Sequence, residues 1–284
     1  FLAGVPLEYI DDGSAIPAGA LPVSNTTGGS LYANWNLVIA GITGVTKLIY
    51  INDAFGTNSG LLAVGLNGLF KYSEDGTTWI DRSYLLVPML NGAALSTVDI
   101  RAVTYNYVSK VDGIKTVVVI AGDNGLLAYS EDIATMPFVF VSLVGTNLTS
   151  LSTVQSDSRI FVTGEKGVLA SSTDAKTWVK HGLGTSVTIN SVIKGYDEFA
   201  KYVAIGDGST VFTAITLDLW ISRNSTFFSN NLLGVATDGV STWLAVFDSS
   251  KVYSSIDAGV TWTIVPNPAP EGTDLFGIAY SSSL

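Results

Sequence analysis

The feature that most constrains the fold of this 284-residue chain is a short apolar motif that recurs along it and usually ends in glycine. The five copies are Leu61–Gly65, Val118–Gly122, Ile160–Gly164, Tyr202–Gly206 and Trp243–Phe247. Their last residues are separated by 57, 42, 42 and 41 positions, so the first interval contains an insertion. A regular period of 40 to 50 residues indicates a ring or an array of similar supersecondary units.

Each unit contains four short runs rich in β-branched and aromatic residues, and turn residues separate these runs. In the unit that begins near Val45, the predicted strands are about 45–52, 60–66, 69–74 and 77–82. The turn between the second and third strands contains an Asn-Gly or related pair, which accepts the positive φ of a two-residue hairpin. The sequence therefore predicts an all-β fold built of four-stranded antiparallel blades, a β-propeller.

The two ends of the chain complete the pattern when they are joined. Phe1–Gly4 resembles the repeated motif and follows the fifth copy by 41 positions, while Asp274–Tyr280 resembles the strand before each copy. Pairing the terminal strands in one blade would remove exposed sheet edges. We predict one six-bladed domain, 1–284, in which 1–44 and 274–284 form one blade and further blades span about 45–98, 99–147, 148–186, 187–231 and 232–273.

A second repeated motif lies between the third and fourth predicted strands. Ser255 to Trp262 follows the pattern S-x-D-x-G-x-T-W, and shorter variants run from Ser73 to Trp79 and from Ser172 to Trp178. Degenerate copies occur at Ser130–Asp132, Asp218–Trp220 and Asp11–Gly13. With these motifs the chain resembles the Asp-box (BNR) propellers of the sialidase-like superfamily, which include glycosidases, photosystem assembly factors and viral tail or fibre modules.

The chemistry of the Asp-box motif is structural. A short carboxylate accepts backbone N–H bonds inside its own turn, glycine supplies the unusual dihedral angle, and the Trp packs between blades. In the family that the chain resembles, these boxes lie on the face opposite the ligand site. We therefore expect scaffold roles, not catalytic ones, for Ser73, Asp75, Trp79, Ser172, Asp174, Trp178, Ser255, Asp257, Gly259 and Trp262.

The sequence contains few candidate catalytic residues. A sialidase needs an arginine triad, a Tyr nucleophile with a Glu partner, and an acid/base Asp. The arginines are Arg82, Arg101, Arg159 and Arg223, and the early Phe-Arg-Ile-Pro motif of sialidases is absent. His181 is the only histidine, and no phosphate-binding loop, dinucleotide glycine motif or H-E-x-x-H is present. We predict no catalytic residue and no cofactor.

Four carboxylates occupy equivalent turns of successive units and would lie on one face of the disc: Asp123, Glu165, Asp207 and Asp248. A ring of carboxyl oxygens at this face could bind Ca²⁺ or another hard cation. The alternative, which we favour, is that acidic residues simply tolerate these turns and keep the surface soluble. The sequence leaves the question of a metal open.

The composition of the chain argues against several classes of protein. A net charge of −10 without a basic cluster argues against nucleic-acid binding, and no apolar stretch approaches the roughly 20 residues of a membrane span. There is no Cys, so disulfides do not contribute.

The chain lacks an initiator Met and a signal sequence, which indicates processing or a longer product. Sequons at Asn25, Asn147 and Asn224 permit glycosylation.

These observations favour a non-enzymatic structural or binding module of a virion (tail, fibre or capsid-associated) or of an extracellular or cell-surface assembly. We expect it in multiple copies, contacting other protein subunits or a surface glycan in adhesion. The hypothesis rests on the missing catalytic set, the low charge and a Ser/Thr/Asn/Gly/Val-rich texture. The alternatives are a sialidase-like glycoside hydrolase and an assembly factor of the photosystem type.

Overall fold

The computed structural model describes residues 42–52, 59–90, 94, 97–111, 113–154, 158–195, 201–223, 230–238, 242–248, 251–266, 272 and 274–279. Within them the chain forms five four-stranded antiparallel sheets, blades 1 to 5, each a meander in chain order. The predicted all-β fold of four-stranded antiparallel blades is confirmed for these five. The sixth blade and the closure of the ring stay predictions.

The strands of blades 1 and 2 are β1 (Val45–Ile51), β2 (Gly60–Gly65), β3 (Phe70–Ser73), β4 (Ile80–Asp81), β5 (Ile100–Lys110), β6 (Gly113–Gly122), β7 (Leu127–Ser130) and β8 (Val139–Phe140). Those of blades 3 and 4 are β9 (Leu148–Val154), β10 (Arg159–Gly164), β11 (Val168–Ser172), β12 (Val179–Lys180), β13 (Ile189–Lys194), β14 (Tyr202–Gly206), β15 (Thr210–Ala214) and β16 (Ile221–Ser222). Blade 5 contains β17 (Leu232–Thr237), β18 (Trp243–Phe247), β19 (Val252–Ser255) and β20 (Thr263–Val265).

The second strand of each blade is buried on both faces, which explains why its sequence is apolar at consecutive positions instead of alternate ones. In β2, for example, Leu62, Ala63 and Val64 are all fully buried. The first three strands of blade 1 match their predicted ranges closely. The fourth has only two residues, because residues 74–79 fold into a turn.

The hairpin between β2 and β3 has the predicted geometry. Asn67 and Gly68 have φ of 56° and 70°, and the Leu69 N–H donates to the Leu66 carbonyl at 3.1 Å. The backbone of Gly65 is extended, which any residue can adopt. Glycine is needed at this position for lack of space, because a Cβ would collide with the carbonyl oxygen of Gly44. The same collision would occur at the glycines that end the other repeated runs, Gly122, Gly164 and Gly206.

The blades pack face to face in chain order, and a separate apolar cluster fills each interface. Phe70 of blade 1 shares a cluster with Ile120 of blade 2, and Val119 of blade 2 shares one with Ile160 of blade 3. Phe161 joins Tyr202 between blades 3 and 4, and Val203 packs with blade 5. The first strands of consecutive blades also contact one another. First strands inside and two- or three-residue fourth strands outside give the arrangement of a β-propeller.

The two outer faces of the five-blade array are the face of blade 1 turned away from blade 2 and the face of blade 5 turned away from blade 4. On blade 1, Val45, Leu48 and Ala63 form a cluster with Trp79 on the face turned away from blade 2. Beside blade 5, the Leu275 N–H donates to the Phe247 carbonyl at 3.1 Å, and a Cβ on Gly234 would lie 3.3 Å from Gly277. Residues 1–41 and 280–284, which the predicted closing blade needs, lie outside the described residues.

A long apolar helix of the kind that crosses a bilayer is not found in the part of the chain that the structure describes. The main helical segment there is a 3₁₀ helix, Ser83–Leu90, which lies in the insertion between the first two repeats.

Candidate functional site

Three Asp-box turns have closely similar hydrogen bonds. In blade 1, Asp75 Oδ1 accepts from the backbone N–H groups of Thr77 (2.8 Å) and Thr78 (2.7 Å) and from the Ser73 hydroxyl (3.1 Å). In blade 3, Asp174 accepts in the same way, and in blade 5 Asp257 binds both the N–H and the hydroxyl of Thr261. The carboxylates thus hold their own turns, as a short acidic side chain in a turn does.

These contacts also set the charge state of the three carboxylates. Backbone N–H bonds from Thr78 and Thr77 hold the pKa of Asp75 well below its usual range. At Asp174 and Asp257 burial acts to raise the pKa, but hydrogen bonds from the turn outweigh it and the pKa is lowered. A general acid at neutral pH needs a raised pKa. The three groups are therefore suited to hold a turn, and unsuited to donate a proton.

The tryptophans of the three boxes occupy equivalent places but differ in burial. Trp262 is only 7% exposed and lies between blades 4 and 5, where Gly259 approaches Val203 of the neighbouring sheet. Trp178 lies between blades 2 and 3 but is half-buried, and Trp79 is half-buried against its own blade. The motif fixes the place of the ring, whereas the neighbouring blade decides how deeply it is covered.

The degenerate copies diverge in different ways. In blade 2, Asp132 keeps the carboxylate role, accepting from the Ala134 N–H at 2.8 Å. In blade 4, Trp220 donates to the Leu217 carbonyl at 3.1 Å, as Trp178 does to Ala175. Counting back from this Trp, however, Ala214 and Thr216 stand where blade 1 has Ser73 and Asp75. Asp218 is therefore not the counterpart of the box carboxylate. The copy at 11–13 lies outside the described residues.

The four hairpin carboxylates that could form a cation-binding face are each engaged locally. Asp123 forms a two-pronged ion pair with Arg101, while Glu165 and Asp207 accept from Asn147 and Asn190, both at 2.8 Å. Asp248 accepts from the backbone N–H of Asn231 at 3.2 Å. Across the described ranges, no group of three or more His, Asp or Glu side chains is placed to hold a metal ion. The cation site stays the less favoured of the two interpretations of these carboxylates.

Beside these turns the structure shows a set of side chains that the sequence reasoning missed. An Asp or Asn directly before the first strand of one blade accepts a backbone N–H from the hairpin of the preceding blade. Asp99 accepts from Asn67 (2.9 Å), Asn147 from Asn124 (2.9 Å) and Asn231 from Gly208 (3.0 Å). We call these the Asx caps. The available signal was an Asp or Asn immediately before the innermost strand of a blade.

His181, to which we assign no role from the sequence, is buried between blades 3 and 4. Its Nε2 lies 2.9 Å from Ser171 Oγ, which accepts a further bond from Arg159 at 3.0 Å. Burial lowers the pKa of the imidazole, although a ring N–H bond to the Leu217 carbonyl partly opposes this. Ser171 is fully buried and belongs to blade 3, as His181 does, so the pair is a structural contact within blade 3, and the bond to Leu217 links it to blade 4.

Comparisons with known proteins address the fold. No protein-family model matches the sequence, and no curated protein matches it. A chain of polycomb repressive complex 2 (PRC2) from Chaetomium thermophilum is similar with a TM-score of 0.54 at 12% identity, over 74% of this chain and 48% of that one. This chain thus spans about half the length of the PRC2 chain. The likeness concerns the fold alone, a β-propeller.

Two further solved structures have lower TM-scores. YCF48 from Cyanidioschyzon merolae gives 0.40 at 14% identity, over 78% of this chain and 85% of that one. YCF48 bound to D1 peptide gives 0.49 at 17% identity, over 77% and 71%.

An exposed apolar surface lies on the rim where blade 1 meets blade 2. The 3₁₀ helix Ser83–Leu90 hydrogen-bonds to the β7–β8 segment, through the Phe138 N–H to the Leu85 carbonyl (2.9 Å) and the Tyr84 hydroxyl to the Ala134 carbonyl (3.1 Å). Five large apolar side chains on these two segments are each 48–57% exposed. We define the apolar rim patch as Tyr84, Val87, Met136, Val139 and Phe140.

Proposed function

We propose that the chain is a non-enzymatic binding or structural propeller that works by contact with other protein subunits, including copies of itself. The observation that carries the proposal is the apolar rim patch. Large apolar side chains gathered on an exposed surface mark protein contacts, because covering them releases ordered water. The insertion in the first repeat supplies two of the five patch residues, Tyr84 and Val87, so this part of the surface is an addition to the basic blade.

The patch has the composition of an interface centre. Aromatic residues and Met are enriched at such centres, and Lys, Glu and Asp are depleted. Tyr84 and Phe140 provide rigid aromatic surface, and Met136 adapts to irregular partners. The PRC2 chain, which shares the fold, is part of a multi-protein complex. A propeller that acts through contacts with other subunits would resemble the PRC2 chain in this respect.

We extend the proposal to the family and the setting of the protein. The hydrogen bonds of Asp75, Asp174 and Asp257 support membership of the Asp-box, sialidase-like propellers. The absence of Cys, a charged fraction of 13% and many hydroxyl side chains support a place in a virion (tail, fibre or capsid-associated) or in an extracellular or cell-surface assembly. Surface glycans are a second class of partner in this proposal, since aromatic and amide side chains bind sugars.

The contact proposal is tested by sedimentation of the purified chain across a wide range of concentration. We expect concentration-dependent self-association that Phe140→Lys weakens by about tenfold or more, because a buried ammonium replaces an apolar ring. The matched control is Val179→Lys, which places the same charge on the outermost strand of blade 3, at a residue that is 58% exposed, compared with 48% for Phe140. Wild-type chain that stays monomeric throughout, or an equal effect of both variants, would contradict the assignment of the patch.

The non-enzymatic part of the proposal has its own test. We expect no hydrolysis of a panel of sialosides and other glycosides by the purified chain. Turnover that disappears when one hairpin carboxylate is replaced, as in Asp123→Asn, would overturn this part and establish a glycosidase.

A further inference from the structure

Met136 of the apolar rim patch lies in a stretch of chain that is specific to blade 2. The turn between the third and fourth strands runs there from Ser130 to Phe138, two positions longer than Ser73–Trp79 in blade 1 or Ser172–Trp178 in blade 3. Phe138 is buried in the interface with blade 1, which is the role of the aromatic residue in such a turn. Packing between the blades is thus complete without the Met136 side chain.

The backbone of Met136 is held on both sides. Its N–H donates to the Asp132 carbonyl at 2.9 Å, and its own carbonyl accepts from the Ser130 hydroxyl at 3.0 Å. The side chain, in contrast, is 51% exposed. The turn therefore presents a thioether to solvent at a defined place in the apolar rim patch.

A solvent-exposed thioether is a group that hydroperoxides oxidise. The chain has no Cys that would compete for the oxidant, and Met89 is its other methionine. The sulfur lone pair attacks one oxygen of hydrogen peroxide and the O–O bond breaks. That oxygen stays on the sulfur, whose transient hydroxyl proton passes to the departing hydroxide, so the products are a sulfoxide and water. Sulfur loses two electrons and the peroxide gains them.

We propose that Met136 is an oxidation site through which a hydroperoxide controls subunit contact at the apolar rim patch. The inference rests on the proposed function, in which this patch is covered by another subunit. A thioether is apolar, whereas a sulfoxide has a polar S–O bond that loses its water when the contact forms. Oxidation therefore weakens the contact, and reduction of the sulfoxide restores it. Association in turn protects Met136, because the partner covers its sulfur.

The test treats the purified chain with hydrogen peroxide, locates the sulfoxide by peptide mass spectrometry and measures self-association by sedimentation. We expect oxygen uptake at Met136 and self-association weakened by about tenfold, because a polar group without a partner is then buried in the contact. The two methionine sulfoxide reductases, one for each sulfoxide epimer, should restore the original association. Oxidation of Met136 should also slow as the chain concentration rises and more of the chain is associated.

Three variants separate the sulfur of Met136 from other effects of peroxide. Met136→Leu keeps an apolar side chain of similar volume, so it should associate like the wild type both before and after treatment. Met89→Leu is the matched control and should keep the full response to peroxide. Met136→Gln is polar and is not oxidised, so it should associate as weakly as the oxidised wild type. Thermal unfolding verifies that each variant is folded.

Two results would overturn this inference alone: association that survives complete oxidation of Met136, or an equal loss of association when Met136→Leu is treated with peroxide. Wild-type chain that is monomeric before any treatment would overturn the proposed function together with this inference. Phe140→Lys, which tests the contact without an oxidant, distinguishes the two kinds of failure.

Discussion

Trp262 offers a sharp test of how the blades hold together. Its ring is 93% buried between blades 4 and 5, and its indole N–H donates to the Gly259 carbonyl at 3.1 Å. A buried Trp removes about 200 Å² from water, which at about 25 cal/mol per Å² corresponds to about 5 kcal/mol. After allowance for the smaller side chain and for relaxation, we expect Trp262→Ala to lower the free energy of unfolding by about 3–5 kcal/mol.

The matched comparison is Trp178→Ala. This ring has the equivalent place and the same hydrogen bond but is only half-buried, so we expect a loss of about 2 kcal/mol. Urea denaturation followed by far-ultraviolet circular dichroism measures both variants without relying on tryptophan fluorescence. With an m-value of about 3 kcal/mol per M, the midpoint should fall by about 1–1.7 M for Trp262→Ala. A loss below about 1 kcal/mol, or a larger loss for Trp178→Ala, would refute the packing argument.

Four further predictions concern titration, the caps and glycosylation. Because the pKa values of the turn carboxylates are lowered in the folded state, their stabilisation is complete above about pH 4 and is lost as the pH falls through the folded values. Urea midpoints should therefore drop below pH 4, and less steeply in Asp174→Asn/Asp257→Asn; parallel curves would count against this. Since burial lowers the pKa of His181, the unfolded chain takes up the proton first, and stability should decline as the pH falls below about 6.5. His181→Gln should flatten the curve between about pH 5 and 7, and an unchanged slope would exclude this origin. Asn147→Ala should cost about 1–3 kcal/mol by urea denaturation, because both ends of the amide bridge two blades. Mass spectrometry of chain made in a glycosylating host should find Asn147 unmodified, and a glycan there would contradict the cap.

The repeat made the strands predictable because one physical requirement recurs in every blade. A strand with sheets on both faces must be apolar at consecutive positions, as in Leu62 to Val64, and the close carbonyl next to Gly65 admits no side chain. The Asp-box turns were equally predictable, since Asp75 satisfies donors two and three residues further along its own chain. Each Asp-box turn therefore finds its hydrogen-bond partners within a few residues of its Asp.

The remaining features depend on contacts between distant parts of the chain. Spacing gave no sign that the insertion after blade 1 would lie along β8 of blade 2 and form the apolar rim patch with it. Nor could it show that Trp79 and Trp178 would be less covered than Trp262, because the depth of each ring is set by the neighbouring blade.

The Asx caps all run in one direction, from the hairpin of one blade to the blade that follows it in the chain. During synthesis from the N-terminus, each hairpin therefore leaves the ribosome before its acceptor exists. The cap residue lies 23 to 32 positions after the hairpin that it accepts from, so at about 5–20 residues per second a hairpin waits for roughly 1–6 seconds for its cap. Folding of the nascent chain should accordingly lag one blade behind translation. Slow codons placed just after a cap residue would give each completed hairpin time to form its hydrogen bond with the cap before the next blade is synthesised.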